Sequence, residues 1–552
     1  MPPDRITDWH SAGRLKDIPV GTIHNLLDYG GHNDGINPND ETLNNLIDFV
    51  DTPATILLPP GDYKFEYPIA MRSGVSICGS GHSETRLVFD SENHDHLIKF
   101  NGRLRRDTFA LAESARRGDS MIYLINTTNL TPGYYYLSDD DSDKIHSSWA
   151  RNSTGQIIEI QQIADSRAEI TGALRRDYPI DYTPALIPLE PIENVRIKGF
   201  TLINSSPSGM LVSNIYMSCA VNCEVSCIES RMCNFAHADI RMSQRIYLHD
   251  NYFHDAFSFG GGGRAYGVAL QFGSGECLIE DNIFRRLRHS VLLQSGANGN
   301  VIAFNYSREP YWTEVALPEN SAGDLVLHGN YPYLNLFEHN IIQNIVIDDS
   351  HGINGPFNTF FRNRAEKYGI FMNFSPPSDS QNFAGNVITG PPPLMGLYFL
   401  NGDGHLEYGN NVRGEIRPPD TDDLSLLTLY KYGASEFRDV ALPAIGPPIG
   451  AGDGTIPAYQ RWHSGEDPID CGGNTFVKPD SERHSRRMIA ITQSRLEEYL
   501  ADPGITDWAL YSLSGSMISA APERPLSPGR GIYACRIEYS GSEKFLIIII
   551  IE

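Results

Sequence analysis

His328-Gly329-Asn330-Tyr331-Pro332-Tyr333-Leu334-Asn335-Leu336-Phe337-Glu338-His339-Asn340 aligns without a gap on His351-Gly352-Ile353-Asn354-Gly355-Pro356-Phe357-Asn358-Thr359-Phe360-Phe361-Arg362-Asn363, at an offset of 23 residues. The closing Asn extends in both directions to Asn251, Asn282, Asn305, Asn340, Asn363, Asn386 and Asn410, with Gly199 and Cys227 in the same slot upstream. Successive gaps are 28, 24, 31, 23, 35, 23, 23 and 24 residues. A period in the twenties marks a solenoid, whose single turns cannot bury their apolar faces alone. Short runs such as Val301–Phe304, Val291–Leu293 and Leu325–Leu327, separated by Gly, Asn and Pro, are strands joined by tight bends. The leucine frame of a leucine-rich repeat is absent. The expectation is an all-β chain built on a parallel β-helix, with the recurring Asn stacked into a hydrogen-bonded ladder that tolerates left-handed backbone angles.

At 552 residues the chain exceeds one ordinary core, but a solenoid grows by adding turns. Its 68 Asp and Glu against 44 Lys and Arg give a net charge of −24, which argues against nucleic acid or an anionic membrane as partner. A local basic cleft on such a surface still admits an acidic polysaccharide. The longest apolar run, Phe545–Ile551, is too short to span a bilayer. No leader is read ahead of Asp4, so the chain reads as a mature form acting extracellularly or at a cell surface.

The organisation divides into four parts: residues 1–105, the entry and first turns; 106–190, a small inserted β module; 191–415, the regular turns; 416–552, a linker and C-terminal extension. The module holds strands near Met121–Leu124, Gly133–Leu137 and Ile157–Ile160, and an acidic run, Asp139-Asp140-Asp141-Ser142-Asp143, expected as a solvated loop. Pro418-Pro419 and Pro447-Pro448 mark the linker. A helix is expected after Ser494, then two strands, the last so isoleucine-rich that it needs covering by the β-helix or by self-association with another subunit. Cys219, Cys223, Cys227 and Cys233 contain no CxxC pair and are expected as buried thiols or one disulfide across a turn, with no metal site.

Toward the N-terminus, Tyr29-Gly30-Gly31-His32-Asn33-Asp34-Gly35 precedes Asn39-Asp40-Glu41-Thr42 and an amphipathic run through Leu43, Leu46, Ile47 and Val50, a Gly-rich turn leading into a capped helix. Ile56-Leu57-Leu58-Pro59-Pro60-Gly61-Asp62-Tyr63 and Gly74–Gly81 follow. This entry resembles the pectate-lyase-like superfamily of right-handed parallel β-helix proteins, with His32-Asn33-Asp34-Gly35 in place of the usual small residues. The resemblance covers about residues 25–90 by motif and 190–412 by periodicity. It implies a carbohydrate-active, right-handed fold and leaves the activity open, because lyases, hydrolases, epimerases and non-catalytic adhesive proteins share the shell.

Functional residues are expected where turns depart from the minimal coil. The excursions Ser258–Ala265 and Ser307–Asp324 leave one sector of consecutive turns and wall a groove suited to a chain-like glycan. Gln271 and Gln294, then His328 and His351, then Asn373 form one column, with Gly267 and Ala269 as bare floor beside it. Asp324 and Asp349 fall on the same face, with Asp348 opposite. Strand spacing puts these two carboxylates roughly 8 Å apart, within the separation of about 6.5–9.5 Å of an inverting glycoside hydrolase, one acting as acid and one as base. His328 and His351 would relay protons. Hydrolysis requires no cofactor. Elimination on a uronic-acid polymer is the alternative, with Lys367 as base, Arg286, Glu309 and Arg264 nearby, and calcium as the neutralising cation. Tyr266, Tyr311 and Trp312 are candidates for stacking on sugar faces. A third reading has no chemistry: a rigid adhesive or appendage protein.

Overall fold

The computed structural model describes residues 1–90, 95–314, 321–393, 395–430, 442–448, 454–465, 467–469 and 471, and the backbone of five strands between 488 and 550. Two units are present, 1–476 and 477–552. The first is a right-handed parallel β-helix. Its first wall is a 12-stranded sheet from Thr22–Asn25 to Leu406–Tyr408, parallel throughout. The next two strands of each turn stack into a second and a third wall. Ile341–Asp348 and Arg364–Asn373 run unbroken through the corner between them.

The corner between first and second walls carries the expected ladder. Asn251 Nδ2 donates to Asn282 Oδ1 at 2.9 Å, and the same bond repeats from Asn282 to Asn305, Asn340, Asn363, Asn386 and Asn410 at 2.9–3.1 Å. Each Oδ1 from Asn282 onward also accepts from the backbone N–H of the Asn before it, and all seven side chains are fully buried. The left-handed residue is not the Asn but its predecessor: Asp250, Asp281, Phe304, His339 and Arg362 have φ of 50–55°, with Gly385 and Gly409 completing the series. A second ladder, Asn300–Asn335–Asn358, continues into Gln381 at 2.9–3.0 Å. Inside, Phe337, Phe360 and Phe383 stack with centroids 4.7 and 5.2 Å apart.

The entry helix is Asp40–Phe49, with Leu43, Leu46 and Ile47 buried. Asn39 does not cap it: its amide oxygen accepts from His32 N and its nitrogen donates to His32 O, tying down the Gly-rich turn. The coil continues directly from Val75–Gly79 to Ile192–Lys198, where Ile77 pairs with Ile197, so the module is looped out between two adjacent turns. The module is a small antiparallel sheet in which Gly133–Ser138 lies between Gln156–Ala164 and Ala185–Glu190. It packs onto the corner between third and first walls. Arg175 donates to Asn298 and pairs with Glu276 at 2.9 Å, and Gly296, with φ of 71°, leaves room for Ser153, whose carbonyl a Cβ would strike. Its acidic run is a solvated loop only in part, with Asp140, Ser142 and Asp143 exposed and two carboxylates turned inward. Asp139 is buried against Arg176, and Asp141 accepts from the N–H groups of Asn152, Ser153 and Thr154.

The stretch expected as a linker is instead a strap along the first corner. Arg362, fully buried, donates to the carbonyls of Leu424, Leu426 and Ile445. Leu429 N–H reaches Glu338, Tyr430 Oη reaches Glu280, and Arg461, from the helix Pro457–Ser464, pairs with Asp281. The strap ends with Asp467 on His82 and a disulfide from Cys471 to Cys227. The disulfide therefore joins coil to strap rather than crossing a turn, and Cys219, Cys223 and Cys233 are buried free thiols. In the second unit the isoleucine strand Ser542–Ile550 pairs along one edge with Gly531–Tyr539, and Ile547–Ile550 pair on the other edge with Met488–Ile491. The helix expected after Ser494 lies outside the described residues. Among the described residues no helix is long and apolar enough to cross a membrane.

Asn340→Ala would orphan two buried donors on Asn305 as well as its own partners. We expect it to cost about 3 kcal/mol in denaturant unfolding; a loss below about 1 kcal/mol would show that the ladder contributes little.

Candidate functional site

The third wall aligns its outward side chains by register. Arg241 lies beside Gln271, and the pairings Leu270 with Leu293, Leu293 with Leu327 and Leu327 with Ile347 carry the column on to Gln294, His328 and Asp348, which itself pairs with Asn373. Gln271, Gln294, His328 and Asn373 thus stand together as expected. Asp348, expected on the opposite face, takes the slot assigned to His351. The connection from Ile347 to Thr359 is three residues longer than that from Leu327 to Leu336, and His351 falls within it. Its ring still turns back, edge-on to His328 with centroids 4.7 Å apart.

This column floors a cleft of about 540 Å³. Trp149, from the inserted module and half exposed, forms one side against Phe272 and His351 at centroid distances of 6.0 and 6.3 Å. Gly262 and Gly263 of the first excursion form the other, with Leu211, Tyr266 and Arg288. The excursions brace each other: Gly261 N–H donates to Glu314 and Thr313 N–H to Phe259 O. Gly267 and Ala269 are not bare floor. Ala269 lies under Phe235 and Tyr266, and Gly267 is held so close to Ser290 O that a Cβ would clash at 2.3 Å.

A polar chain runs along the floor. Asp239 pairs with Arg241 at 2.8 Å and accepts from Gln271 Nε2 at 2.6 Å, and Gln271 Oε1 accepts from Gln294 Nε2 at 2.7 Å. His328 Nδ1 contacts Asp348 Oδ2 at 2.6 Å, while Ser350 and the Asn373 amide, oriented to satisfy both its neighbours, donate to the same carboxylate. Burial opposes ionisation of Asp348, but His328 and Ser350 outweigh it and hold the carboxyl below its usual value. The Nδ1 contact is a close charge contact outside hydrogen-bond geometry, and Nε2 is the ring nitrogen that Asp348 does not engage. Burial, reinforced by His328 and Arg288, keeps His351 below the usual histidine range. Arg288 stacks on Trp312 at 4.3 Å, donates to Gly260 O, and has no carboxylate against it among the described residues.

The expected carboxylate pair is not assembled on this face. Asp324 is wholly buried at the corner between second and third walls, where it accepts from Ser307 and from the N–H groups of Gln343 and Asn344 at the bulge in Ile341–Asp348. Asp349 is buried too, clipped to Ser378 and Asn354. Each carboxylate offers free backbone and hydroxyl donors an acceptor, and that satisfies a turn rather than a ligand. Trp312 lies behind Arg288, outside the cleft lining, and Arg264 reaches Ser208 O instead. Arg286, Glu309 and Lys367 gather in a separate cleft on the second wall, with Tyr311. Sequence reasoning missed Arg288 and Trp149. No spacing marks the first, and the second reaches the groove from a module far away along the chain.

Residues 23–171 match the family described as rhamnogalacturonase A/epimerase, pectate lyase-like, in line with the resemblance of the N-terminal entry. No curated protein matches the chain. Among solved structures, the tailspike gp49 of Pseudomonas phage LKA1 is similar at 15% identity and a TM-score of 0.49, over 66% of this chain and 63% of that one. The exopolygalacturonase of Thermotoga maritima is similar at 12% identity and a TM-score of 0.40, over 73% and 94%. The A-module of the Azotobacter vinelandii mannuronan C-5 epimerase AlgE4 is similar at 12% and 0.35, over 70% and 90%.

Proposed function

We propose that the third-wall cleft binds an acidic polysaccharide and cleaves it by β-elimination at a uronate residue. The contact of His328 Nδ1 with Asp348 at 2.6 Å, on the floor of a cleft that also holds Arg288, carries this reading. Arg288 pairs with the uronate carboxylate and lowers the cost of charge developing there. His328 Nε2 takes the proton at C5, the electron pair passes into the carboxylate and returns to form the C4–C5 double bond, and the C4–O bond breaks. The leaving oxygen takes a proton from Tyr266, whose buried hydroxyl stays protonated because burial pushes its pKa up. Trp149 offers a half-exposed indole face to a sugar ring. Arg288 does the neutralising that calcium would otherwise do, so activity is expected to survive chelation. Hydrolysis by Asp324 and Asp349 has less support, since both carboxylates are already engaged.

Incubation with polygalacturonate and alginate should raise reducing ends and unsaturated-uronate absorbance together; reducing ends without absorbance would overturn elimination. His328→Gln should lower kcat by about 100-fold or more with little change in KM. Asp324→Asn should retain turnover and alter stability instead. Burial pushes the Asp324 carboxyl from 3.8 up to about 6, only partly offset by Ser307, Asn344 and Gln343. The folded chain therefore holds that proton more tightly than the unfolded chain. Stability falls as pH rises through about 4 to 6, by about 3 kcal/mol. The Asn variant should lose this slope in denaturant titrations at a series of pH values.

A further inference from the structure

The second cleft, about 460 Å³, lies on the second wall and belongs to no part of the reaction above. One side is the wall itself, with Arg286, Tyr306 and Lys367; the other is the strap helix Pro457–Ser464, with Tyr459 and His463. Tyr459 packs edge-on to Tyr306 at 5.1 Å, and Tyr306 Oη meets His463 Nε2 at 3.2 Å. The wall alone would be an open surface, and the returning strap makes it concave.

Its charges are arranged for an anion. Glu309 is held by Arg285 and Arg308 at 3.0 and 3.1 Å, and Glu366 by Arg364 at 2.9 Å. Both carboxylates lining the cleft are thus already engaged by cations. Arg286 keeps a half-exposed side chain whose partner, Asp255, stands off at 3.8 Å, and Lys367 adds an ammonium to the lining. A cationic, tyrosine-lined hollow on a protein of net charge −24 has the chemistry of an acidic-sugar site.

Position links it to the first cleft. Arg286 lines one and Arg288 the other, so at most about 7 Å of extended backbone separates them. Tyr311 lines the second cleft while its neighbour Trp312 supports Arg288 of the first. We propose that the second cleft binds a further segment of the same acidic polysaccharide, so that one chain bends over the corner and engages both. The identity of the ligand rests on the reading of the first cleft; the existence of the site does not. Two linked contacts raise the affinity of a long chain and leave a fragment too short to bridge them with one.

Affinity electrophoresis of the full chain in polygalacturonate and in alginate, with calorimetry on their trimers, tests this. The double variant Arg286→Gln with Lys367→Gln should weaken retention by the bound polymer about tenfold and leave trimer affinity near wild type. Tyr459→Ala, which changes no charge, should weaken polymer retention about threefold, and both proteins should melt as the wild type does. Arg288→Gln should weaken polymer and trimer alike. Wild-type polymer retention by both second-cleft variants would overturn the second site while the first reading stands. Loss of retention in those variants, with none in Arg288→Gln, would support the second site and overturn the first reading. A wild-type protein retained by neither polymer would overturn both.

Discussion

Every later feature depends on the hydrogen bond that passes from one buried Asn amide to the next. Each side chain spends its oxygen on two donors of the preceding Asn and its nitrogen on the next amide, so a turn cannot slip by one residue without stranding several polar groups in a dry interior. A one-residue slip in a strand would also send every outward side chain inward. The ladder therefore holds the register of the first and second walls that meet at its corner. Gln271 and Gln294 stand in line with the same 23-residue step as Asn282 and Asn305, while Asp348 joins His328 through a third-wall step of 20.

That dependence explains what could be read in advance. The Asn spacing is a local, repeated signal, and it carried the architecture, the ladder and the Gln–His column. It failed where turns are compensated. His328 and His351 match in sequence, yet the strand pairing from Leu327 to Ile347 is offset by 20 residues while that from Leu336 to Thr359 is offset by 23. The difference is absorbed in the corner after Asp348, so counting back from Asn363 lands on the wrong acid. Asn335 and Asn358 were visible in the opening alignment and form a second ladder of the same kind. Trp149 and the strap were not legible, since their contacts join segments far apart in the chain and leave no period.

Acidic residues sort by what they satisfy. Asp141, Asp324 and Asp349 gather backbone and hydroxyl donors, Asp139 and Asp239 hold arginines, and all five are buried. A large negative total thus coexists with clefts in which cations and imidazoles meet the solvent. Net charge constrains which partners approach from a distance, and the sign within a cleft decides which group is held there.

The strap changes what kind of solenoid this is. An unfastened stack of turns contacts only its neighbours and can fray from either end. Here one segment touches Arg362, Glu338, Glu280 and Asp281, then His82, and closes with Cys471 on Cys227, so residues from the last turns back to the first share one chain of contacts. Such fastening makes nearest-neighbour additivity give way to all-or-none unfolding, in which an end turn is protected as well as a central one. The expected consequence is that amide hydrogens in the turns the strap touches exchange together rather than turn by turn, and that reduction of the bond to Cys227 loosens that coupling.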